Sequence, residues 1–207
     1  MMRTLLVATA WLLLVPAAGS PQAPDPLAAR AKGKSDAPVT IYEMSDFQCP
    51  YCREFALGTM PELERQYIET GMVRFVYINL PLTSVHKNAT AAAQAAMCAA
   101  LQGRFWPMHD VLFRHQDQWA ELAVPRDYLV SLGDSAGLDR AQLTRCLASG
   151  AAAAAVRADA ARARRAGATS TPTFYIEGGL LEGAAPVAVF RAVLDSIYQS
   201  KTRARPR

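Results

Sequence analysis

Cys49 and Cys52 stand at a junction between two kinds of sequence pattern, and that junction constrains this chain more than any other feature. Upstream, Val39-Thr40-Ile41-Tyr42-Glu43-Met44 is apolar and β-branched and reads as a buried strand. Downstream, Phe55, Leu57, Met60 and Leu63 are the apolar positions of a helical pattern. The stretch Phe47-Gln48-Cys49-Pro50-Tyr51-Cys52-Arg53-Glu54-Phe55 therefore turns from strand into helix, with Cys49 at or just before the first helical turn. Amides at a helix start have no intrahelical partners, and the macrodipole is positive there. Both favour a thiolate at Cys49, and the thiolate is the nucleophilic form of cysteine. Cys52 lies one turn further in, close enough to close a disulfide with Cys49 and less open to solvent. Pro50 has a preset φ and lacks an N–H, which suits the first helical turn. The arrangement fits thiol–disulfide exchange.

Three other readings compete. Structural zinc needs four ligands, usually two Cys pairs or Cys with His at short spacing. Cys98 and Cys146 are isolated, and no His lies beside the motif. Copper could use two thiolates alone, and a structural bridge needs no chemistry at all. The strand–CxxC–helix context favours redox work over each of these, with no metal site and no cofactor beyond the disulfide itself.

The match extends beyond the cysteines. Asp36-Ala37-Pro38-Val39-Thr40-Ile41-Tyr42-Glu43 leads into Ser45-Asp46-Phe47-Gln48-Cys49-Pro50-Tyr51-Cys52, and Ser170-Thr171-Pro172-Thr173-Phe174 follows far downstream. With these pieces the chain resembles a DsbA-like thiol–disulfide oxidoreductase of the thioredoxin superfamily, from about Gly33 to Ser200. A lone CxxC is a weak signal; CxxC with a Thr-Pro before a late strand and helices between is a strong one. The resemblance implies an α/β thioredoxin fold, a central mixed sheet flanked by helices, with an inserted helical domain. It also implies that Thr171-Pro172 faces Cys49 through a cis peptide bond, against the alternative of an ordinary trans proline opening an edge strand. Cys49, Cys52, Glu43 and Pro172 are then the candidate catalytic residues, and Pro50, Tyr51 and Thr171 the candidate client-binding ones. The bend at Pro172 is expected to leave the Thr171 backbone groups unpaired for an extended client to join as a strand edge.

Glu43 lies six residues before Cys49. Alternation puts Ile41 and Glu43 on one side of the strand and Tyr42 and Met44 on the other. A solvent-facing acid on a half-exposed strand is the plain reading. Thioredoxin-like proteins carry an acid at this offset beneath the CxxC, and the resemblance makes Glu43 a helper that relays the proton of Cys52, its pKa raised by burial.

A length of 207 residues allows one domain with a sizeable core and an insertion. The net charge of +4 does not make the broad basic surface of a nucleic-acid binder. Residues 1–19 read as a signal peptide: Arg3 ahead of an apolar stretch from Leu5 to Val15, then Ala17-Ala18-Gly19 before a cut at Ser20. That apolar run is shorter than the roughly 20 residues that span a bilayer. Export to the periplasm or another oxidising compartment agrees with four cysteines.

Residues 20–35 read as a proline-containing spacer with one helical turn at Leu27 to Ala31, too short for a dimerisation domain, so a monomer is expected. The thioredoxin fold should occupy 36–83 and 167–200, with helix from about Pro50 to Ile68 kinked or divided at Pro61, and a strand over Val73 to Ile78. Residues 84–166 read as the helical insertion, with a helix capped by Asp139 and an alanine-rich, solvated helix over 151–166. Thr173 to Ile176, a turn at Glu177-Gly178-Gly179, and Leu180 to Glu182 read as a hairpin, and Pro186 to Tyr198 as a closing amphipathic helix. Residues 201–207 form a basic, solvated tail. His86, near a helix start, is a capping or surface residue or a neighbour of the active site. Cys98 and Cys146 fall on apolar faces of the insertion and, with Cys49 and Cys52 paired, form a structural disulfide or remain two buried thiols.

The expected function is an exported oxidase that converts client dithiols to disulfides and is recycled by a membrane redox partner. A reductase with the same chemistry and a copper-binding chaperone on the same fold are the alternatives. DsbA itself has a His where this chain has Tyr51, so one thiolate-stabilising group of that relative is missing.

Overall fold

The computed structural model describes residues 27–203. The expected signal peptide, the first residues of the spacer and the last four of the basic tail lie outside the described residues. Among the described residues one sheet is formed by β1 (Ala31–Lys32), β2 (Val39–Ser45), β3 (Val73–Asn79), β4 (Thr173–Ile176) and β5 (Gly179–Glu182), in the order β1-β3-β2-β4-β5. Only β2 and β3 run parallel, and the other pairs are antiparallel. This is the mixed sheet of a thioredoxin fold. The parallel pair requires a crossover, and the helical stretch after the CxxC provides it.

That crossover starts as α1 (Pro50–Glu54), widens into a π turn over Phe55–Thr59, resumes as α2 (Met60–Leu63), and widens again over Glu64–Ile68. The Met60 N–H reaches back five residues to the Phe55 carbonyl. Pro61 has no N–H and its ring crowds the preceding turn. The wider turn just ahead of it admits the ring, so the helix is neither broken nor divided.

Alternation on β2 sorts the two faces as expected. Val39 and Ile41 pack with Phe55, Phe75, Phe174 and, from α9 (Val187–Arg203), Phe190 and Leu194. Met44, Val76 and Ile78 pack on the other face with Ala160 and Ala163 of α8 (Ala151–Arg165). The solvated character expected of that helix is thus wrong for one face. Alanine gives too little contrast for a periodicity argument to find the buried stripe. Asp159 of the same stripe is buried against Arg30, with Nη2 to Oδ1 at 3.2 Å, and accepts from the Asn79 side chain at 2.8 Å. This ties the segment around the short 3₁₀ turn Ala28–Arg30 to the sheet. The expected spacer therefore contains a helical turn and a two-residue strand, too short to show a pattern of its own.

Between β3 and α8 lie α3 (Ala89–Ala100), α4 (Phe105–Arg114), α5 (Gln116–Trp119), α6 (Arg126–Ser135) and α7 (Arg140–Ser149). Asp139 caps α7, its carboxylate accepting from the Gln142 amide at 2.7 Å. Cys98 and Cys146 are joined in a disulfide that closes 48 residues of chain and ties α3 to α7. The core of these helices, including Leu112, Phe113 and Trp119, also takes in Phe47, Cys49, Cys52 and Tyr77. The CxxC accordingly sits at the seam between sheet and helices.

The hairpin turn is Glu177-Gly178, both residues with positive φ (48° and 96°), so Gly179 already belongs to β5. Lys201 is not a free tail residue. Its Nζ donates to the Pro38 carbonyl at 2.8 Å and pairs with Glu177 at 2.5 Å, extending α9 to Arg203.

Candidate active site

Cys49 is the N-cap of α1, with φ −71° and ψ 125°, and Pro50 takes the first helical position. The loop reaches this cap through a turn in which the Cys49 N–H donates to the Asp46 carbonyl at 3.0 Å. Cys49 is 4% exposed and Cys52 fully buried, and both are thiols. Cys49 is the less buried of the two, and Tyr51 beside it is 61% exposed.

Across the seam, the Thr171–Pro172 peptide is cis. The Cys49 thiol donates to the Thr171 carbonyl oxygen at 3.3 Å. That carbonyl is engaged with the cysteine here, which corrects the expectation that both Thr171 backbone groups are left open. The Pro172 carbonyl in turn accepts from the Gly183 N–H at 2.8 Å, just past the end of β5.

The two thiols have opposite electrostatics. Cys49 is lowered to about 6, first by the hydrogen bond from Cys52, then, against the opposing effect of burial, by the Thr171 side chain and the backbone N–H groups of Cys52 and Tyr51. Cys52 is pushed well above the ordinary thiol value by burial, by its hydrogen bond to Cys49, and by the nearby charges of Cys49 and Glu43. One sulfur is thus kept as thiolate and the other as thiol.

Glu43 is buried on β2, not solvent-facing. Desolvation lifts its carboxyl to about 8, the Ser45 hydroxyl works against that lift, and the charge of Cys49 adds to it. A carboxyl with this value near the thiols can hold or accept a proton at neutral pH.

Several polar side chains that sequence reasoning did not single out hold the loop in place. Asp46 is buried and accepts from the Gln48 amide and the Leu82 amide, each at 2.8 Å, and pairs with His86 Nδ1 at 2.8 Å. The Asp46 N–H points at the Cys52 sulfur, 3.5 Å away. His86 is therefore one residue removed from the cysteines. Gln116 of α5 donates to the Phe47 carbonyl at 2.7 Å and the Cys49 carbonyl at 3.1 Å. Gln48 donates to the Ala120 carbonyl at 2.9 Å, and its own oxygen accepts from the Asn88 amide at 2.7 Å. Arg53 donates to the Phe113 carbonyl at 3.1 Å and pairs with Asp117. The contacts of Gln48, Gln116 and Arg53 join residues 40 or more apart in the chain, so no local spacing reveals them. Among the described residues no cluster of three or more His, Cys, Asp or Glu side chains has the geometry to hold a metal ion.

A protein-family model described as Thioredoxin matches residues 27–196. The Probable disulfide bond formation protein D of Bacillus anthracis is 31% identical over 150 residues, 72% of this chain and 69% of that protein. The Na(+)/H(+) antiporter NhaA 3 of Salinispora tropica is 35% identical over 182 residues. The chain spans only about a quarter of that antiporter's length, so the likeness concerns one part of a larger protein. The crystal structure of oxidised BdbD from Bacillus subtilis superposes with a TM-score of 0.75 at 25% identity, covering 82% of this chain and 92% of that one. Alpha-DsbA1 of Wolbachia pipientis gives a TM-score of 0.75 at 20% identity, a likeness of fold.

Proposed function

The chain belongs to the thioredoxin family and is a DsbA-like protein thiol–disulfide oxidoreductase, and from that premise we propose that it works in the oxidising direction on exported clients. In the oxidised protein a client thiolate attacks the Cys49 sulfur. The Cys49–Cys52 bond breaks, Cys52 departs with the electron pair and takes a proton, and a client–Cys49 mixed disulfide forms. A second client thiolate then attacks the client sulfur, releasing Cys49 as thiolate and the client with a new disulfide. Two electrons remain on the protein as the dithiol, and a membrane redox partner that passes them to a quinone is the co-reactant this direction requires.

The observation that carries this reading is the Cys49 thiolate, held at about 6 by groups of its own site. Stabilising the thiolate stabilises the reduced protein, and a stable reduced form makes the disulfide a stronger oxidant. Reducing thioredoxins keep this sulfur near roughly 7, and the strongest oxidants near roughly 3.5. The reductase reading is favoured by one feature, the neutral and exposed Tyr51 beside Cys49. The roles of Glu43, Pro172 and Cys52 as acid–base helper, client platform and resolving thiol belong to the same proposal, with Pro50, Tyr51 and Thr171 forming the client-facing rim. So do the monomeric state, export directed by residues 1–19, and the division into a thioredoxin fold at 36–83 and 167–200 with an insertion at 84–166. Among the described residues no helix is long and apolar enough to cross a membrane.

The test is single-turnover oxidation of a reduced, unfolded client by one equivalent of the oxidised protein. The expected result is one client disulfide formed per Cys49–Cys52 disulfide consumed. A protein that instead opens client disulfides when supplied reduced, and forms none when supplied oxidised, is a reductase.

A further inference from the structure

Beside Glu43 lie two buried hydroxyls, those of Ser45 and Tyr77, that thiol exchange as described above does not use. Glu43 on β2 and Tyr77 on β3 are direct neighbours across the parallel pair, and Ser45 follows two positions along β2, on the same face as Glu43. All three side chains are buried. Glu43 Oε1, Ser45 Oγ and Tyr77 OH each lack a well-formed hydrogen bond. Yet Ser45 stands near enough to both partners to favour their ionised forms. A buried hydroxyl or carboxyl without a partner is costly. Three such oxygens on neighbouring positions of two paired strands are placed to share hydrogen bonds, directly or through a bridging water, after a small side-chain adjustment.

We infer that Tyr77, acting with Ser45, is a positioning residue for Glu43, orienting its carboxyl beneath the CxxC and favouring the ionised form that receives the proton of Cys52. This rests on the thiol-exchange reading and deepens it. Phenol and carboxyl work as a pair because the phenol is the weaker acid: burial and the charges of Glu43 and Cys52 hold its proton on firmly. It can donate a hydrogen bond to a carboxylate but cannot neutralise it by giving up its proton. The groups facing this pair are Cys49 and Cys52 of the active-site turn, Asp46 and Ser45 of β2 and its following loop, and His109 of α4. The His109 ring meets the Tyr77 ring edge-on at 5.5 Å and is kept neutral by burial. No cation therefore faces the carboxyl from these elements, and hydroxyl donors are the means left to stabilise its charge.

The step affected is the attack of Cys52 on a mixed disulfide at Cys49. Glu43 takes the Cys52 proton, the Cys52 sulfur bonds to the Cys49 sulfur, and the partner leaves as thiolate with the electron pair. Removing the Tyr77 hydroxyl raises the Glu43 pKa further, so a smaller fraction is ionised at neutral pH and the step slows.

The experiment mixes reduced protein with glutathione disulfide, quenches, and follows the Cys49–glutathione adduct by mass between pH 5 and 9. With Tyr77→Phe the adduct should form at the wild-type rate but persist about three- to tenfold longer at pH 7, the factor expected of one hydrogen bond. The half-rate pH should also move upward. Ser45→Ala should shift it in the same direction, and it carries the test should Tyr77→Phe fail to fold. Glu43→Gln should abolish the pH step, and Tyr77→Phe added to it should cause no further slowing. Wild-type lifetimes in Tyr77→Phe, or an undiminished effect in the Glu43→Gln background, would overturn the inference. A wild-type adduct that Cys52 never resolves would instead overturn the thiol-exchange reading beneath it.

Discussion

The Cys49 thiol and the Thr171 carbonyl oxygen lie 3.3 Å apart, joined by a hydrogen bond that spans 122 positions of sequence. The contact brings the late Thr-Pro segment onto the nucleophile placed by the early strand–helix turn. The hydrogen bond needs the protonated sulfur, so it is present below about pH 6 and lost when Cys49 becomes the thiolate.

The two cysteines should separate cleanly by substitution. Cys49→Ser should bring both client oxidation and insulin reduction down to the uncatalysed rate. Cys52→Ser should keep the attacking sulfur and accumulate covalent client adducts, seen as dithiothreitol-sensitive bands on non-reducing gels. Activity retained in Cys49→Ser would reassign the nucleophile.

Alkylation of Cys49 by iodoacetamide in the reduced protein should rise with pH around a midpoint near 6, the value its surroundings impose. Cys52 should stay unreactive through neutral pH because burial and its neighbours raise it. A midpoint in the ordinary thiol range near roughly 8.5 would show that the helix start and Cys52 do not hold the anion.

Two groups at the active site should make the stability of the reduced protein depend on pH with opposite sign. Cys49 is depressed in the fold, so its contribution is present above the unfolded value and lost as pH falls through about 6. Glu43 is raised, so its contribution is present below about 4.5 and lost as pH rises through about 8. Glu43→Gln should therefore leave acid stability nearly unchanged and raise stability at pH 9 by something on the order of 5 kcal/mol. Urea unfolding at pH 5 and pH 9 gives the comparison. Equal differences at both pH values would mean that Glu43 titrates as an exposed acid.

Gln116→Leu should loosen the active-site loop, because the Phe47 and Cys49 carbonyls lose their shared donor. A cost of about 1–3 kcal/mol in thermal or urea unfolding is expected from leaving buried acceptors unpaired. Hydrogen exchange should quicken over residues 46–53 and not over β4. A stability within a few tenths of wild type would assign the glutamine no structural role.

Asp159→Ala should cost about 3–5 kcal/mol, since it strands the buried Arg30 guanidinium. Arg30→Met combined with Asp159→Leu should be much milder, because no unpaired charge is left inside. Losing the Cys98–Cys146 bridge should cost roughly 4 kcal/mol from the 48-residue loop it closes, with client oxidation retained.

Legibility in the sequence followed the physics of each element. The strand before Cys49, the helix after it and the Asp139 cap announce themselves through alternation, periodicity and a side chain that accepts from the next turn. The buried face of α8 did not, since Ala160 and Ala163 look the same inside or out. Neither did Gln48 and Gln116, nor the reach of Asp46 to Leu82 and His86: these partners are distant in sequence, and a polar residue carries no sign of which group it will meet. Glu43 and Thr171-Pro172 were legible only together with the CxxC. An isolated acid or Thr-Pro has many ordinary explanations.

The central claim concerns the direction of electron flow, and the equilibrium of the Cys49–Cys52 pair with glutathione buffers measures it directly. A thiolate held at about 6, one unit below thioredoxin's roughly 7, predicts a potential displaced by at least roughly 30 mV from thioredoxin's, to about −240 mV or above, toward the oxidising end of the scale. A value near roughly −270 mV, where thioredoxin lies, would contradict the oxidase account and make this protein a reductant.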